Sequence, residues 1–109
     1  MPRLSEPELG ALFAALADPT RRQVIRSLSG AEPVTASGLA ADLPMTRQAI
    51  AKHLGALERA GLVEPRREGR ETRYRLTPAP LDDAIAWMEE VGARWDRSLA
   101  RLSERARRA

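Results

Sequence analysis

Cysteine is absent from this chain, which excludes a disulfide, a thiolate nucleophile and a thiolate metal site. Histidine and lysine occur once each, side by side, as His53 and Lys52, so nearly all positive charge comes from arginine. A single histidine does not supply the His-rich ligand set that catalytic zinc takes. No apolar run approaches the roughly 18 residues that a membrane span needs. The opening "MPRLSEPELG" also lacks the hydrophobic core of a signal peptide. These absences point to a cytoplasmic protein with no membrane partner.

What is present suits one small globular domain. The chain has 109 residues, 43% hydrophobic and 30% charged, enough for a modest core and too little for two. The net charge is only +3, so a nucleic-acid partner requires the positive charge to gather on one face.

Period and punctuation give a mainly helical chain. "SEPELGALFAALA" begins with a capping box, Ser5 with Glu8, and Pro7 sits in the first turn. "DPTRRQVIRSLSG" restarts with Asp18 as cap, Pro19 at the first helical position and Gly30 just past the end. Thr35 can cap a short helix reaching about Asp42, which Pro44 prevents from continuing. Thr46 then caps a longer helix, about 46–60, stopped by Gly61. Helix, short turn and helix in this spacing form a helix-turn-helix. "LVEPRREGRETRYRL" next reads as a β-hairpin, about 63–76, turning at Glu68–Arg70. A last helix runs over about 81–105, ahead of the basic tail "RARRA".

On a helical wheel the 46–60 helix separates cleanly. Ile50, Leu54 and Leu57 form a narrow apolar stripe that must face a core. Gln48, Lys52 and Arg59 lie opposite, with Gly55 and Ala56 beside them. Donors at one end and little bulk in the middle suit a helix entering the major groove. Gln48 can pair with adenine, Lys52 or Arg47 can donate to guanine, and Thr46 at the helix start suits a phosphate. The competing reading is an ordinary solvated helix face.

The hairpin carries Arg66, Arg67, Arg70, Arg73 and Arg75, interrupted only by Glu68 and Glu71. Residue parity places Arg67 on one face with Glu71. A basic hairpin beside a helix-turn-helix is a wing that meets the minor groove; a charge-blunted edge ribbon is the alternative. His53 falls on the flank of the apolar stripe, with no nucleophile or orienting partner nearby in sequence. It is expected half-buried, one ring nitrogen bonded to backbone or phosphate. No catalytic residue and no cofactor are expected, and the chain does not read as an enzyme.

"LADPTRRQVIRSL", "MTRQAIAKHLGALERAGLV" and "REGRETRYRL" together resemble the ArsR-type winged helix-turn-helix transcriptional repressors, over roughly Leu12 to Leu76. The resemblance implies a dimeric repressor of operator DNA, often released by an effector. Many members sense metals through cysteines in the helix before the recognition helix, or through histidine and carboxylate ligands on the last helix. Here "TASGLAADL" has no cysteine and the last helix no histidine. Asp82, Asp83, Glu89 and Glu90 offer at most a weak oxygen site, and a solvated face explains them better. The chain resembles the branch that does not sense metals.

Leu81, Ile85, Met88, Trp95, Leu99 and Leu102 recur on the last helix in alternating steps of four and three, with Gly92 in the missing slot and Trp87 and Val91 beside them. Such a seam packs against another helix. The first helix, with Leu9, Leu12, Phe13 and Leu16, can absorb part of it. The remainder favours a twofold dimer through the first and last helices, and hence an inverted-repeat operator. The expected DNA contacts are Thr46, Arg47, Gln48, Lys52, Arg59, Arg66, Arg67, Arg70 and Arg73. The expected dimer contacts are Leu9, Leu12, Phe13, Leu81, Ile85, Met88, Gly92, Trp95, Leu99 and Leu102. The sequence names no effector. A winged-helix module that binds protein in place of DNA, and a small-molecule-responsive sensor, are the competing functions.

Overall fold

A computed structural model describes residues 3–30 and 32–108 of the chain. Met1 and Pro2, Ala31 within the expected turn at 30–33, and Ala109 at the end of the basic tail lie outside the described residues. In order the elements are α1 (Glu6–Ala17), α2 (Pro19–Ser27), β1 (Val34–Thr35), α3 (Ala36–Asp42), α4 (Arg47–Arg59), β2 (Val63–Glu68), β3 (Glu71–Leu76) and α5 (Ala79–Arg108). This is a mainly α winged helix-turn-helix with a small antiparallel sheet.

Each of the four capped helices starts where its cap dictates. Ser5 Oγ accepts from the Glu8 amide at 3.3 Å, and Glu8 Oε1 accepts from the Ser5 amide at 3.1 Å, closing the capping box. Asp18 Oδ1 takes the Thr20 and Arg21 amides at 2.7 and 3.2 Å. Thr35 and Thr46 each accept from the amide three residues on, at 3.0 and 3.1 Å. At the far end of α4, Gly61 adopts φ +77°. Its amide bonds to Glu58 O at 3.0 Å and that of Leu62 to Leu57 O at 2.9 Å, the paired bonds of a Schellman cap. Gly30 does not play the equivalent part for α2. That helix closes two residues earlier, with Leu28 as its cap.

The core lies among the first four helices and the base of the sheet. Leu12, Val24, Ile50, Leu54, Leu57 and Leu62 are completely buried, and Leu9, Leu28, Leu39, Val63 and Ala84 nearly so. The α4 stripe therefore faces inward as the wheel requires. α2, α3 and β2 all pack on α4 and hold it from three sides.

The sheet has order β1-β3-β2, one strand more than the hairpin read from the sequence. Val34 pairs with Tyr74 and Thr35 with Arg73, so the entry to α3 is stitched to the wing. The hairpin register is Val63↔Leu76, Pro65↔Tyr74, Arg66↔Arg73, Arg67↔Thr72 and Glu68↔Glu71. This corrects the expected face of Arg67. A two-residue turn sets odd residues opposite even ones, so Arg67 shares a face with Thr72 and Tyr74, and Glu71 shares the other with Glu68.

α5 differs from the rest. Its 30 residues span about 45 Å, and the molecule measures 70 × 31 × 24 Å. Its first half packs on the body: Ala84 is buried, Leu81 meets the core, Phe13 meets Trp87, and Arg3 pairs with Glu90 at 3.2 Å. No described helix is long and apolar enough to cross a membrane.

Candidate nucleic-acid interface

The exposed side of α4 begins at its capped N-terminus. Thr46, Arg47, Gln48, Ala51 and Lys52 are all exposed there, while Ala49 and His53 on the opposite flank are half-buried. The open face is thus turned toward Arg47 and Ala51, away from the His53 side. Between this face and the wing runs a groove lined by Thr35, Ser37, Arg47, Ala51, Arg70, Thr72 and Tyr74, with a volume near 300 Å³. Arg47 and Arg70 supply its cationic walls and four hydroxyl side chains its neutral donors. Its single acid is Glu71, whose carboxylate is engaged by Arg73 at 3.4 Å.

The groove brings Arg47, Arg70, Thr72 and Tyr74 together, and beside it stand Gln48 and Lys52. Ser37, Thr72 and Tyr74 are additions that the sequence does not signal. Their contribution follows from the pairing of β1 with β3, and two residues of extended chain carry no periodic signal.

The wing arginines divide by face. Arg67 is on the α4 side and donates Nε to Gly69 O at 3.3 Å. Arg66, Arg73 and Arg75 point the other way, around a hollow with Pro33 and Glu64. Arg73 lies between Glu68 and Glu71, at 3.2 and 3.4 Å, which offsets the repulsion of two glutamates placed directly opposite each other. Arg59 stands apart at the other end of α4. It borders a largely apolar hollow with Leu4, Pro7, Glu8, Ala11, Gly61 and Pro80, and its Nη1 lies 3.5 Å from where a Cβ on Gly55 would be.

His53 is half-buried on the α2 side of α4, and its Nδ1 is buried without a hydrogen-bond partner among the described residues. Of the two bonds expected for one ring nitrogen, to backbone or to a phosphate, Nδ1 does not make the first. Asp18 is close enough to feel the imidazole. The Arg21 amide bond holds the Asp18 carboxyl below its ordinary range, against some desolvation and with help from the Thr20 amide and the charges of His53 and Arg21. Glu8 is lowered in the same direction, chiefly by the Ser5 amide.

Among the described residues no three His, Cys, Asp or Glu side chains converge, and the sequence supplies no thiolate.

A helix-turn-helix family model, described as "Helix-turn-helix domain", matches residues 16–66, which covers α2 to the middle of β2. The uncharacterized HTH-type transcriptional regulator YuzN of Bacillus subtilis is 41% identical over 86 residues, covering 72% of this chain and 94% of that protein. The transcriptional repressor SdpR of the same organism is 34% identical over 77 residues, 71% of this chain and 84% of its own. Among solved structures, an ArsR-like transcriptional regulator from Rhodococcus sp. RHA1 superposes with a TM-score of 0.88 at 47% identity, over 94% of both chains.

The chain belongs to the ArsR-type winged helix-turn-helix transcriptional regulators. As an ArsR-type protein it is a DNA-binding regulator of transcription, and the groove between α4 and the wing lies beside the exposed face of α4.

Of the residues expected at a dimer contact, Leu9 and Leu12 are spent inside the domain, with exposures of 6% and 0%. They are too deep to meet a partner, because α1 turns them onto the core against α2. Phe13 is half-buried against Trp87, and Leu81 half-buried against the core. Ile85, Met88, Trp95, Leu99 and Leu102 remain exposed, as do Trp87 and Val91. Every large exposed hydrophobic side chain among the described residues is on α5.

Proposed function

We propose that the chain is a homodimeric repressor that binds an inverted-repeat operator. α4 lies in the major groove, with Gln48 and Lys52 reading base edges. Arg47 and Thr46 hold the adjoining phosphates, and Arg70 and Arg67 carry the wing into the minor groove. The observation that carries this reading is the groove between Arg47 and Arg70, walled by two arginines and lined by hydroxyl donors, directly beside the exposed Gln48 and Lys52. One strand's sugar-phosphate chain running through it would seat helix and wing in neighbouring grooves of the duplex.

The dimer is read from α5, whose large hydrophobic side chains from Ile85 to Leu102 stand exposed along one helix, a contiguous apolar surface of the kind that marks an interface. Twofold symmetry then sets two α4 helices about one duplex turn, ~34–36 Å, or a multiple of it apart. Repression follows by occupancy of the operator, and a likeness to a named repressor supports that sense.

Selection of bound fragments from random duplex DNA tests the reading, followed by Gln48→Ala on the recovered site. The variant should lose about 1–3 kcal/mol of discrimination at one position of each half-site. Unchanged preference over random duplex would remove Gln48 from the reading face, and a recovered site without dyad symmetry would remove the dimer.

A further inference from the structure

We infer that one edge of α5 is a separate nucleic-acid contact. Arg97, Arg101 and Arg105 grip the backbone of duplex DNA outside the stretch that α4 and the wing occupy. The inference rests on the DNA reading proposed above and extends its footprint. Charge is the first observation. Residues 93–108 hold six arginines against Asp96 and Glu104, a net of +4. The whole chain carries only +3, so everything outside that segment sums to −1. The excess positive charge that a nucleic-acid partner requires is therefore gathered on the far half of the last helix. A helix's own dipole favours cations in its final turn, which accounts for Arg105, Arg107 and Arg108. It does not account for Arg97 or Arg101, which stand about two turns or more before the end.

Arrangement is the second observation. At 3.6 residues per turn, Arg94, Arg97, Arg101, Arg105 and Arg108 fall within an arc of about 80°. The apolar row of Met88, Trp95, Leu99 and Leu102 is centred about 130° round the helix, so covering that row leaves the arginines open. From Glu89 onward every α5 residue but Ser98 is exposed, and this half stands clear of its own domain. Glu90 holds Arg94 at 3.0 Å and Glu104 holds Arg108 at 3.0 Å. Between them Arg97, Arg101 and Arg105 meet no carboxylate at ion-pair distance among the described residues. They climb the helix in steps of about 6 Å. A shallow hollow of about 350 Å³ opens beside them at Ala100. One duplex strand offers a phosphate charge about every 3.4 Å of axis, so the ~12 Å from Arg97 to Arg105 spans three or more. Guanidinium forks pair with phosphate oxygens. Between Arg94 and Arg108 the arc holds no Asn, Gln or aromatic side chain, so nothing there reads a base edge or stacks on an unpaired base. The fitting partner is duplex backbone of any sequence.

Anisotropy titrations over a range of salt on two duplexes test this. One is the selected operator alone; the other adds about two duplex turns of unrelated sequence on each side. For the wild type the flanks should steepen the log–log salt slope by about 0.9 for each arginine engaged, ~2.7 per copy. The variant Arg97→Gln/Arg101→Gln/Arg105→Gln should give one slope on both duplexes. It should bind the bare operator nearly as the wild type does, because distant exposed charges are screened. The chain lacks cysteine, so an iron chelate can be tethered at Ala100→Cys alone. Its radicals should cut the flanks of the longer duplex. This measurement keeps all three arginines and holds even if the triple variant alters the fold. Equal wild-type slopes on the two duplexes, or chelate cuts confined to the operator, would overturn the inference and leave the DNA reading standing. Failure to bind either duplex would overturn that reading itself. Equal slopes together with retention of the wild type, but not the variant, on immobilised polyglutamate would assign the edge to an acidic protein, against the inference.

Discussion

Phe13 and Trp87 meet with ring centroids 5.6 Å apart and planes tilted by 58°. This pair is where the first helix grips the last, and tilted aromatic contacts are worth about 0.5–1.5 kcal/mol beyond the area they bury. Phe13→Leu should therefore lower the melting temperature by about 5 °C. In a Trp95→Phe background Trp87 alone reports, and its emission should shift to the red as the ring loses its cover. An unshifted emission would mean that the contact does not hold α5 in solution.

Wing arginines that look equivalent in sequence should behave differently. Arg70 borders the groove, whereas Arg73 is held between Glu68 and Glu71. Replacing Arg70 with alanine should flatten the salt dependence of duplex binding by about 0.9 in log–log slope, the loss of one phosphate contact. Arg73→Ala should change that slope less. Anisotropy titrations over a range of salt concentrations decide it, and equal losses of slope would refute the division by face.

Acid should unfold the protein partly through its caps. The carboxyls of Asp18 and Glu8 are lowered on folding by the amide bonds they accept. A lowered folded-state value means that the stabilisation is fully present above the unfolded value, near pH 4, and fades as the pH falls through the folded one. Asp18→Asn keeps a capping side chain but cannot titrate. Its melting temperature should fall less steeply than that of the wild type below about pH 4. Parallel curves would show that Asp18 contributes nothing to the acid limb.

Two glycines should respond with opposite sign to the same substitution. Gly10 is on the exposed side of α1 with no atom within 4 Å of where an alanine methyl would sit, so Gly10→Ala should stabilise by roughly 0.5–1 kcal/mol. Gly61 holds φ +77°, and Gly61→Ala should destabilise by about 1–2 kcal/mol. Urea unfolding midpoints compare the two directly, and a midpoint that Gly61→Ala leaves unchanged or raises would contradict the α4 cap described above.

Local chemistry is the legible part of this molecule. Ser5, Asp18, Thr35 and Thr46 announce their helices because a cap needs only a side-chain oxygen and the next few amides. Ile50, Leu54 and Leu57 announce the buried side of α4 because one period decides all three. What stays hidden depends on residues far apart. The pairing of Val34 with Tyr74 leaves no trace in either segment, and with it goes the hydroxyl lining of the groove. Parity alone puts Arg67 on the wrong face, because the register follows from turn length and not from counting along one strand. Leu9 and Leu12 look like interface residues on a wheel, yet only packing against α2 shows which side of α1 the domain consumes. The wheel sets His53 at the edge of the core, where it is found, but its missing partner is visible only in three dimensions.

The two rungs that join β1 to β3 also bear on the entropy of recognition. By tying the cap of α3 to the middle of the wing, they fix the spacing of helix and hairpin when the chain folds. A free hairpin would lose that freedom only on meeting its target, and the loss would weaken every complex it formed. Here the ordering is complete beforehand, so a duplex meets a gauge already set to one width.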